Sequence, residues 1–113
     1  MPVEPKSRKK QPTFAFRLRL PKVIKELESA VRDVQEQGWS AADRSRACDI
    51  AFSLAGAFQV EEFRDAAVMA RSLGCLMKLT PDQIRPIEVP FREKLQEIMG
   101  FLKETADQAL TGT

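Results

Sequence analysis

Residues 44–59 read Arg-Ser-Arg-Ala-Cys-Asp-Ile-Ala-Phe-Ser-Leu-Ala-Gly-Ala-Phe-Gln, and this stretch decides the fold. Its apolar residues recur every three or four positions, which is the spacing of one face of an α-helix. The opposite face carries a large aromatic residue, Phe52, and one turn further on a glycine, Gly56. Because glycine inside a helix costs up to about 1 kcal/mol relative to alanine, this pair predicts a docking spot on the outward face. The predicted inward residues are Ala47, Ile50, Ala51, Leu54, Ala57 and Phe58.

Three other stretches show the same spacing, so four amphipathic helices are expected. The first begins at Pro21, since proline suits the first position of a helix, and ends at Gly38. The third begins near Val60, and the last runs from about Pro90 to Ala109. The predicted core residues are Val23, Ile24, Leu27, Ala30, Val31 and Val34 in the first helix, Phe63, Ala66, Ala67, Ala70, Leu73, Gly74 and Met77 in the third, and Phe91, Leu95, Ile98, Met99, Leu102, Ala106 and Ala109 in the last.

Capping signals mark where these helices start. Ser40 is a natural N-cap for the second helix, and Thr80 with Gln83 three residues later has the pattern of a capping box. Two prolines soon after this box leave room for only a short helical turn before the last helix. Glu61 and Glu62 are expected in the first turn of the third helix, where the positive end of the helix dipole favours carboxylates.

Length and composition predict one globular domain. The chain has 113 residues, of which 43% are hydrophobic and 30% charged, so it can bury a core without disulfides. Four helices with short connections predict an all-α, up-down four-helix bundle over residues 21–110, after an extended basic arm over 1–20 that is partly disordered and before a frayed tail over 111–113. No apolar run approaches the roughly 20 residues that span a bilayer, and no secretory signal precedes the helices, so a cytoplasmic location is expected.

The residue types present narrow the chemistry. The chain has no histidine, which removes histidine general bases, histidine metal ligands and phosphohistidine. Cys48 and Cys75 lie too far apart in sequence for a metal or redox motif, and both are interpreted as small apolar residues. Ser53 has no base, metal cluster or phosphate loop nearby. We therefore expect no catalytic residues, no metal and no cofactor, and a protein that is not an enzyme.

Charge is distributed unevenly along the chain. Residues 1–20 carry six basic residues against one acidic residue, and the remainder has a net charge of −3. The basic arm is defined by Lys6, Arg8, Lys9 and Lys10. Such a run contacts nucleic acid or an anionic surface in some proteins and is a solvated tail in others. The tail is favoured here, because the sequence adds no clustered basic face or stacking aromatics, so nucleic acid is not a favoured partner.

Residues 14–20 alternate between apolar and other residues, with Phe14, Phe16, Leu18 and Leu20 on one side. This period of two predicts a short strand or an extended segment. A strand would have no pairing partner elsewhere in the chain, so an extended arm along the bundle, an arm swapped onto a second copy, and a helical lead-in remain open. A swapped arm would bury four apolar side chains and support a homodimeric scaffold.

The second helix resembles that of histidine phosphotransfer domains, including the N-terminal domain of chemotaxis-type histidine kinases. Those domains carry Ala-His-(Ser/Thr)-Leu-Lys-Gly where this chain has Ala-Phe-Ser-Leu-Ala-Gly over residues 51–56. Leu-Thr-Pro-Asp over residues 79–82 is similar to the opening of a later helix in the kinase-type domains, and the resemblance covers roughly residues 23–107. Phe52 occupies the phosphoacceptor position and Ala55 the lysine position. The resemblance therefore implies a degenerate phosphotransfer domain.

This resemblance implies a function in two-component signalling without phosphotransfer. A phenyl ring offers no nucleophile, so the expected role is that of an adaptor that binds a response-regulator receiver domain or another signalling protein. The competing interpretation is a plain bundle in which Phe52 is covered by the N-terminal arm or by a second copy. The predicted partner-binding residues are Ser45, Cys48, Asp49, Phe52, Ser53, Gly56 and Gln59.

Overall fold

A computed structural model describes residues 12–111, in which every regular element is a helix. Helix α1 pairs with α2 and α5, and α3 pairs with the same two, so the four long helices enclose one core. The all-α prediction is confirmed for these residues, and none of their helices is both long and apolar enough to cross a membrane. The helices are α1 (Phe14–Glu36), α2 (Ala41–Val60), α3 (Arg64–Leu76), α4 (Pro81–Ile84) and α5 (Glu88–Thr111), with a 3-10 turn at Arg85–Ile87 before α5.

Helix α1 begins at Phe14 and contains Pro21 in its interior, so the prediction of a helix starting at Pro21 is wrong. Of the alternatives left open for residues 14–20, the structure has the helical lead-in, and the extended segment is not found there. The apolar residues two apart divide between two sides of the helix, because positions four apart share a face. Leu20 is buried and Phe16 is half-buried against the core, whereas Phe14 and Leu18 are exposed.

The start of α1 is attached to the end of α2. The Thr13 hydroxyl caps α1 by accepting a hydrogen bond of 3.2 Å from the Phe16 backbone N–H. The carboxylate of Glu61 accepts two more, from the Thr13 N–H at 3.0 Å and from its hydroxyl at 2.9 Å. The centroid of the Phe16 ring lies 5.9 Å from the ring centroids of both Phe58 and Phe63. These contacts hold residues 13–20 on the bundle of their own chain.

Two turns reverse the chain with the same backbone device. Gly38 follows the end of α1 with φ +71°, and the Trp39 N–H then donates to the Val34 carbonyl at 2.9 Å. Glu62 occupies the equivalent position after α2 with φ +69°, and the Phe63 N–H then donates to the Phe58 carbonyl at 2.9 Å. The second turn is a complete Schellman motif, since the Glu62 N–H also donates to the Gln59 carbonyl at 3.1 Å. In the first turn Trp39 is left-handed as well, with φ +65°. Gly38 ends the first helix as predicted, and Trp39 is buried in the turn.

Glu61 and Glu62 follow directly after the last residue of α2, so their predicted place in the first turn of α3 is wrong. Helix α2 continues through Val60, and α3 starts only at Arg64. The carboxylates therefore lie near the negative end of a helix dipole, and that dipole does not account for them. Glu61 is instead explained by its hydrogen bonds to Thr13.

The other caps and stripes agree with the sequence patterns. Ser40 caps α2, and Thr80 and Gln83 form a complete capping box at α4. Helix α5 starts two residues earlier than expected, at Glu88. All predicted core residues of α5 are buried, and those of α1 and α3 are buried except Val23 and Phe63, which pack against the core half-buried.

Candidate docking surface on α2

Helix α2 buries a different arc from the predicted one. Ala55 is buried, whereas Ile50 and Ala57 are only half-buried. The reason is that α2 packs between α1 and α3, so apolar side chains are needed on both of its flanks. The buried residues are Ala47, Ala51, Leu54, Ala55 and Phe58.

The seven residues predicted to bind a partner fall into two groups. Five are exposed and form the outer face of α2: Ser45, Asp49, Ser53, Gly56 and Gln59. Cys48 and Phe52 are half-buried at the boundary between α2 and α3. The structure therefore brings all seven to one side of the helix. The expectation that Phe52 points fully outward is wrong, because part of its ring packs against α3.

The Phe52 ring rests on Gly74 of α3. A Cβ atom added to Gly74 would lie only 2.9 Å from Cε2 and Cζ of this ring, a distance that real Cβ atoms do not tolerate. The glycine that receives the Phe52 ring is thus Gly74, a contact that the sequence pattern did not predict. The ammonium group of Lys78 lies 5.3 Å from the ring centroid, which is within cation–π range. One edge of the ring is therefore held by the fold, and a cation lies over it.

Gly56 has no packing reason among residues 12–111. A Cβ atom added there would have no neighbour within 4 Å, and the residue is exposed inside a 20-residue helix. Glycine at such a position costs up to about 1 kcal/mol relative to alanine. Gly100 in α5 is the same kind of glycine, exposed and without neighbours. It lines a groove between α1 and α5, on a different side of the bundle.

The two cysteines flank the Phe52 contact. Cys48 lies one turn before Phe52 on α2, and Cys75 follows Gly74 on α3. Burial raises the pKa of the Cys48 thiol, the nearby Lys78 acts in the opposite direction, and Asp49 and Cys75 raise it further. The thiolate fraction of Cys48 is therefore smaller than that of a free cysteine at the same pH, which makes it the weaker nucleophile. Across residues 12–111 no group of Cys, Asp and Glu side chains is arranged to hold a metal ion.

The flank of α2 that faces α1 carries Ser53. It lines a groove of about 290 Å³ together with Phe16, Arg19 and Val60. This groove adjoins the outer face of α2 at its C-terminal half. The basic arm defined by Lys6, Arg8, Lys9 and Lys10 lies outside the described residues, and so does most of the predicted tail.

Sequence reasoning missed two parts of this site. Gly74 fits the apolar stripe of α3 and gave no sign that it receives a ring from α2. Lys78 lies beyond the end of α3, where it has the pattern of an ordinary solvated lysine. The one available signal was the pairing of an unusual phenylalanine on one helix with a buried glycine on the next.

The comparisons with known proteins give no family assignment. No family model matches the chain, and neither curated proteins nor solved structures give a match. The similarity to histidine phosphotransfer domains therefore depends on the short motifs of α2 and α4 alone.

Proposed function

We propose that this chain is a non-catalytic signalling adaptor, a degenerate phosphotransfer domain whose α2 surface binds a receiver-type protein partner. The α2 surface consists of Ser45, Cys48, Asp49, Phe52, Ser53, Gly56 and Gln59. The proposal includes an up-down order of the four long helices, which the connections of three and four residues around α2 favour. The absence of histidine from the sequence excludes the family's own phosphoryl acceptor.

The observation that carries the proposal is Gly56. Apart from its chain neighbours and the backbone of its own helix, no atom of residues 12–111 lies within 4 Å of where its Cβ atom would be, so packing among these residues gives no reason for a glycine there. An external surface that approaches the helix backbone would give one. Phe52, one turn away, offers part of an aromatic ring beside this bare backbone, and aromatic residues are frequent anchors in protein interfaces.

The α2 surface has an apolar centre with charged and polar groups around it, which suits a protein partner. Asp49 on the outer face of α2 and Lys78 over the Phe52 ring carry opposite charges. Ser45, Ser53 and Gln59 add exposed hydrogen-bonding groups to the same surface. An apolar centre with a polar rim is the usual arrangement of a protein–protein interface. The receiver class of partner comes from the family resemblance.

The test is a calorimetric titration of the whole chain against purified receiver domains from the same cell. Phe52→Asp should lower the affinity at least about tenfold, because it removes the aromatic anchor and adds a charge to the centre of the interface. Ile50→Asp is a matched control, since Ile50 is also half-buried on α2 but faces its other flank. It should lose similar stability and keep its affinity.

Circular dichroism must show that both variants remain helical under the titration conditions. Equal affinity of Phe52→Asp and the unchanged chain would contradict the proposal. Failure of every receiver domain to bind the unchanged chain would also contradict it.

A further inference from the structure

The outward side of the first half of α1 combines exposed apolar residues with unpaired cations. Phe14 and Leu18 are one turn apart on this side and are 70% and 64% exposed. Lys22 and Lys25 continue the same side toward the middle of the helix, and both are exposed. We define the α1 basic face as Phe14, Leu18, Lys22 and Lys25.

Charge is separated along α1. Its residues 14–25 contain four basic residues and no acidic one, whereas the rest of the helix contains four acidic residues. Within residues 12–111, none of these four cations takes part in a salt bridge, although six other Lys and Arg residues do. The unpaired cations are Arg17, Arg19, Lys22 and Lys25.

The sequence before α1 extends this charge. Residues 1–25 together carry eight basic residues against Glu4, a net charge of +7, whereas residues 26–113 have a net charge of −5. The positive charge of the sequence is thus concentrated in its first 25 residues, the part that includes Phe14 and Leu18. Such a segment attracts a polyanionic surface within the Debye length, about 8–10 Å at physiological salt.

We propose that the α1 basic face binds the surface of a bilayer that contains anionic lipid. Phenylalanine and leucine beside lysines are the side chains with which an amphipathic helix lies in the membrane interface. The apolar side chains enter the boundary of the acyl chains, while the lysine stems extend toward the phosphates. Each Lys or Arg close to an anionic leaflet adds to the attraction.

Two other occupants fit this face less well. A second copy of the chain docked face to face would bring Lys22 and Lys25 close to the same residues of its partner, and this repulsion opposes a symmetric dimer. A nucleic acid would use the cations, but it would leave Leu18 without an apolar environment. Of these three occupants, the lipid surface is the one that uses both the charge and the apolar pair.

The geometry of the fold leaves this face free. Thr13 fixes the start of α1 to Glu61 of α2, and Phe16 and Leu20 anchor the other side of the helix in the core. The face therefore needs no rearrangement of the bundle to become accessible. A shallow depression beside it is lined by Leu18, Pro21, Lys22, Lys25, Glu26 and Arg46.

The test is co-sedimentation of the full chain with vesicles. The chain should bind phosphatidylcholine vesicles that contain about one third phosphatidylglycerol, and should not bind phosphatidylcholine alone. Binding to the anionic vesicles should fall as salt is raised, because screening weakens the attraction. Absence of binding to the anionic vesicles at low salt would overturn the proposal.

Variants separate the apolar contribution from the charge. Phe14→Ala with Leu18→Ala should lower the partition coefficient at least about tenfold, because two exposed apolar side chains no longer enter the bilayer. Val89→Ala is the matched control, since Val89 is 67% exposed at the start of α5. It should bind as the unchanged chain does.

Lys22→Gln with Lys25→Gln provides a second, independent change that leaves the apolar pair in place. It should weaken binding and reduce its dependence on salt. Unchanged binding of both double variants would overturn the proposal. One result would assign the face to nucleic acid instead. In that result, a single-stranded oligonucleotide displaces the chain from the vesicles, and it binds the Phe14→Ala, Leu18→Ala variant as well as it binds the unchanged chain.

Discussion

The contact between Phe52 and Gly74 shows how a single missing side chain positions a ring. The Cβ atom of alanine at Gly74 would lie 2.9 Å from the ring, so either the ring or the helix would have to move. Alanine would also favour helix α3 by up to about 1 kcal/mol. The two effects oppose each other, and the steric one should dominate as long as the ring is present.

The effect of Gly74→Ala on the free energy of unfolding is therefore predicted to change sign when the Phe52 ring is removed. In the unchanged chain it should lower the free energy of unfolding by about 1 kcal/mol, because the displaced ring costs more than helix propensity returns. In a Phe52→Ala background the same change should raise it by about 0.5–1 kcal/mol. Urea denaturation of the four proteins measures both values. Equal effects in the two backgrounds would show that the ring does not rest on Gly74.

The two cysteines should differ in reactivity. Cys75 is exposed, whereas Cys48 is half-buried and burial raises the pKa of its thiol. A raised pKa means a smaller thiolate fraction at any given pH, and the thiolate is the form that reacts. Alkylation by iodoacetamide, followed by peptide mass spectrometry, should thus modify Cys75 first. The rate at Cys48 should keep rising to higher pH than the rate of a free cysteine does, because the pKa of its thiol is raised. Faster reaction of Cys48 at neutral pH would contradict this interpretation.

At the scale of single elements, the turn after α2 contains a strained residue. Glu62 has φ +69°, a left-handed conformation that costs a residue with a side chain about 1–2 kcal/mol. Glu62→Gly should therefore raise the free energy of unfolding by about 0.5–1 kcal/mol, after the larger chain entropy of unfolded glycine is subtracted. Thermal unfolding measures this gain. Glu62→Ala is the control for loss of the carboxylate. If Glu62→Ala raises the free energy of unfolding as much as Glu62→Gly does, the left-handed conformation is not the source of the strain.

The helices differ in how well their sequences predict them. In α3 and α5 the apolar residues form one stripe, so their buried residues were predicted almost completely. Helix α2 has alanines on both flanks, because it contacts two helices, and small apolar residues do not distinguish a buried flank from an exposed one. This is why Ala55 was missing from the predicted inward residues and Ile50 was included among them. The boundary between α2 and α3 was misplaced because Glu62 takes a turn position where glycine is usual.

The prediction for the start of α1 was wrong for a different reason. Apolar residues at 14, 16, 18 and 20 satisfy the period of a strand, yet 16 and 20 also satisfy the spacing of a helix. Only the tertiary partners of Phe16, the rings of Phe58 and Phe63, decide between the two. The candidate site was predicted as a set of residues on α2, but its boundary with α3 depends on Gly74 and Lys78, which short-range patterns do not connect to Phe52.

At the scale of the whole molecule, Arg44 joins two distant turns. Its guanidinium donates to the Trp39 carbonyl at 2.8 Å and to the Leu79 carbonyl at 2.9 Å, so the α1–α2 turn is tied to the chain before α4. Carbonyl groups that lose a charged donor in a half-buried place are left unsatisfied. The planar fork of arginine reaches both groups at once, which the single ammonium group of lysine does less well.

Arg44→Ala should lower the free energy of unfolding by about 2–3 kcal/mol, and Arg44→Lys should recover less than half of that loss. Arg71→Ala, at an exposed position on α3, is the control and should change it by less than about 0.5 kcal/mol. Urea denaturation monitored by the fluorescence of Trp39 would report directly on the turn. Full recovery by lysine would show that charge alone is sufficient and that the fork is not needed.

The most direct test of the proposed α2 docking surface compares the two exposed glycines that lack neighbours. Gly56→Gln and Gly100→Gln both place a flexible polar side chain in open space within a helix, so each should stabilise the fold by about 0.5–1 kcal/mol. In a calorimetric titration with a receiver domain that binds the unchanged chain, Gly56→Gln should lose affinity at least about tenfold while Gly100→Gln keeps it. Equal affinities of the two variants would contradict a docking surface on α2.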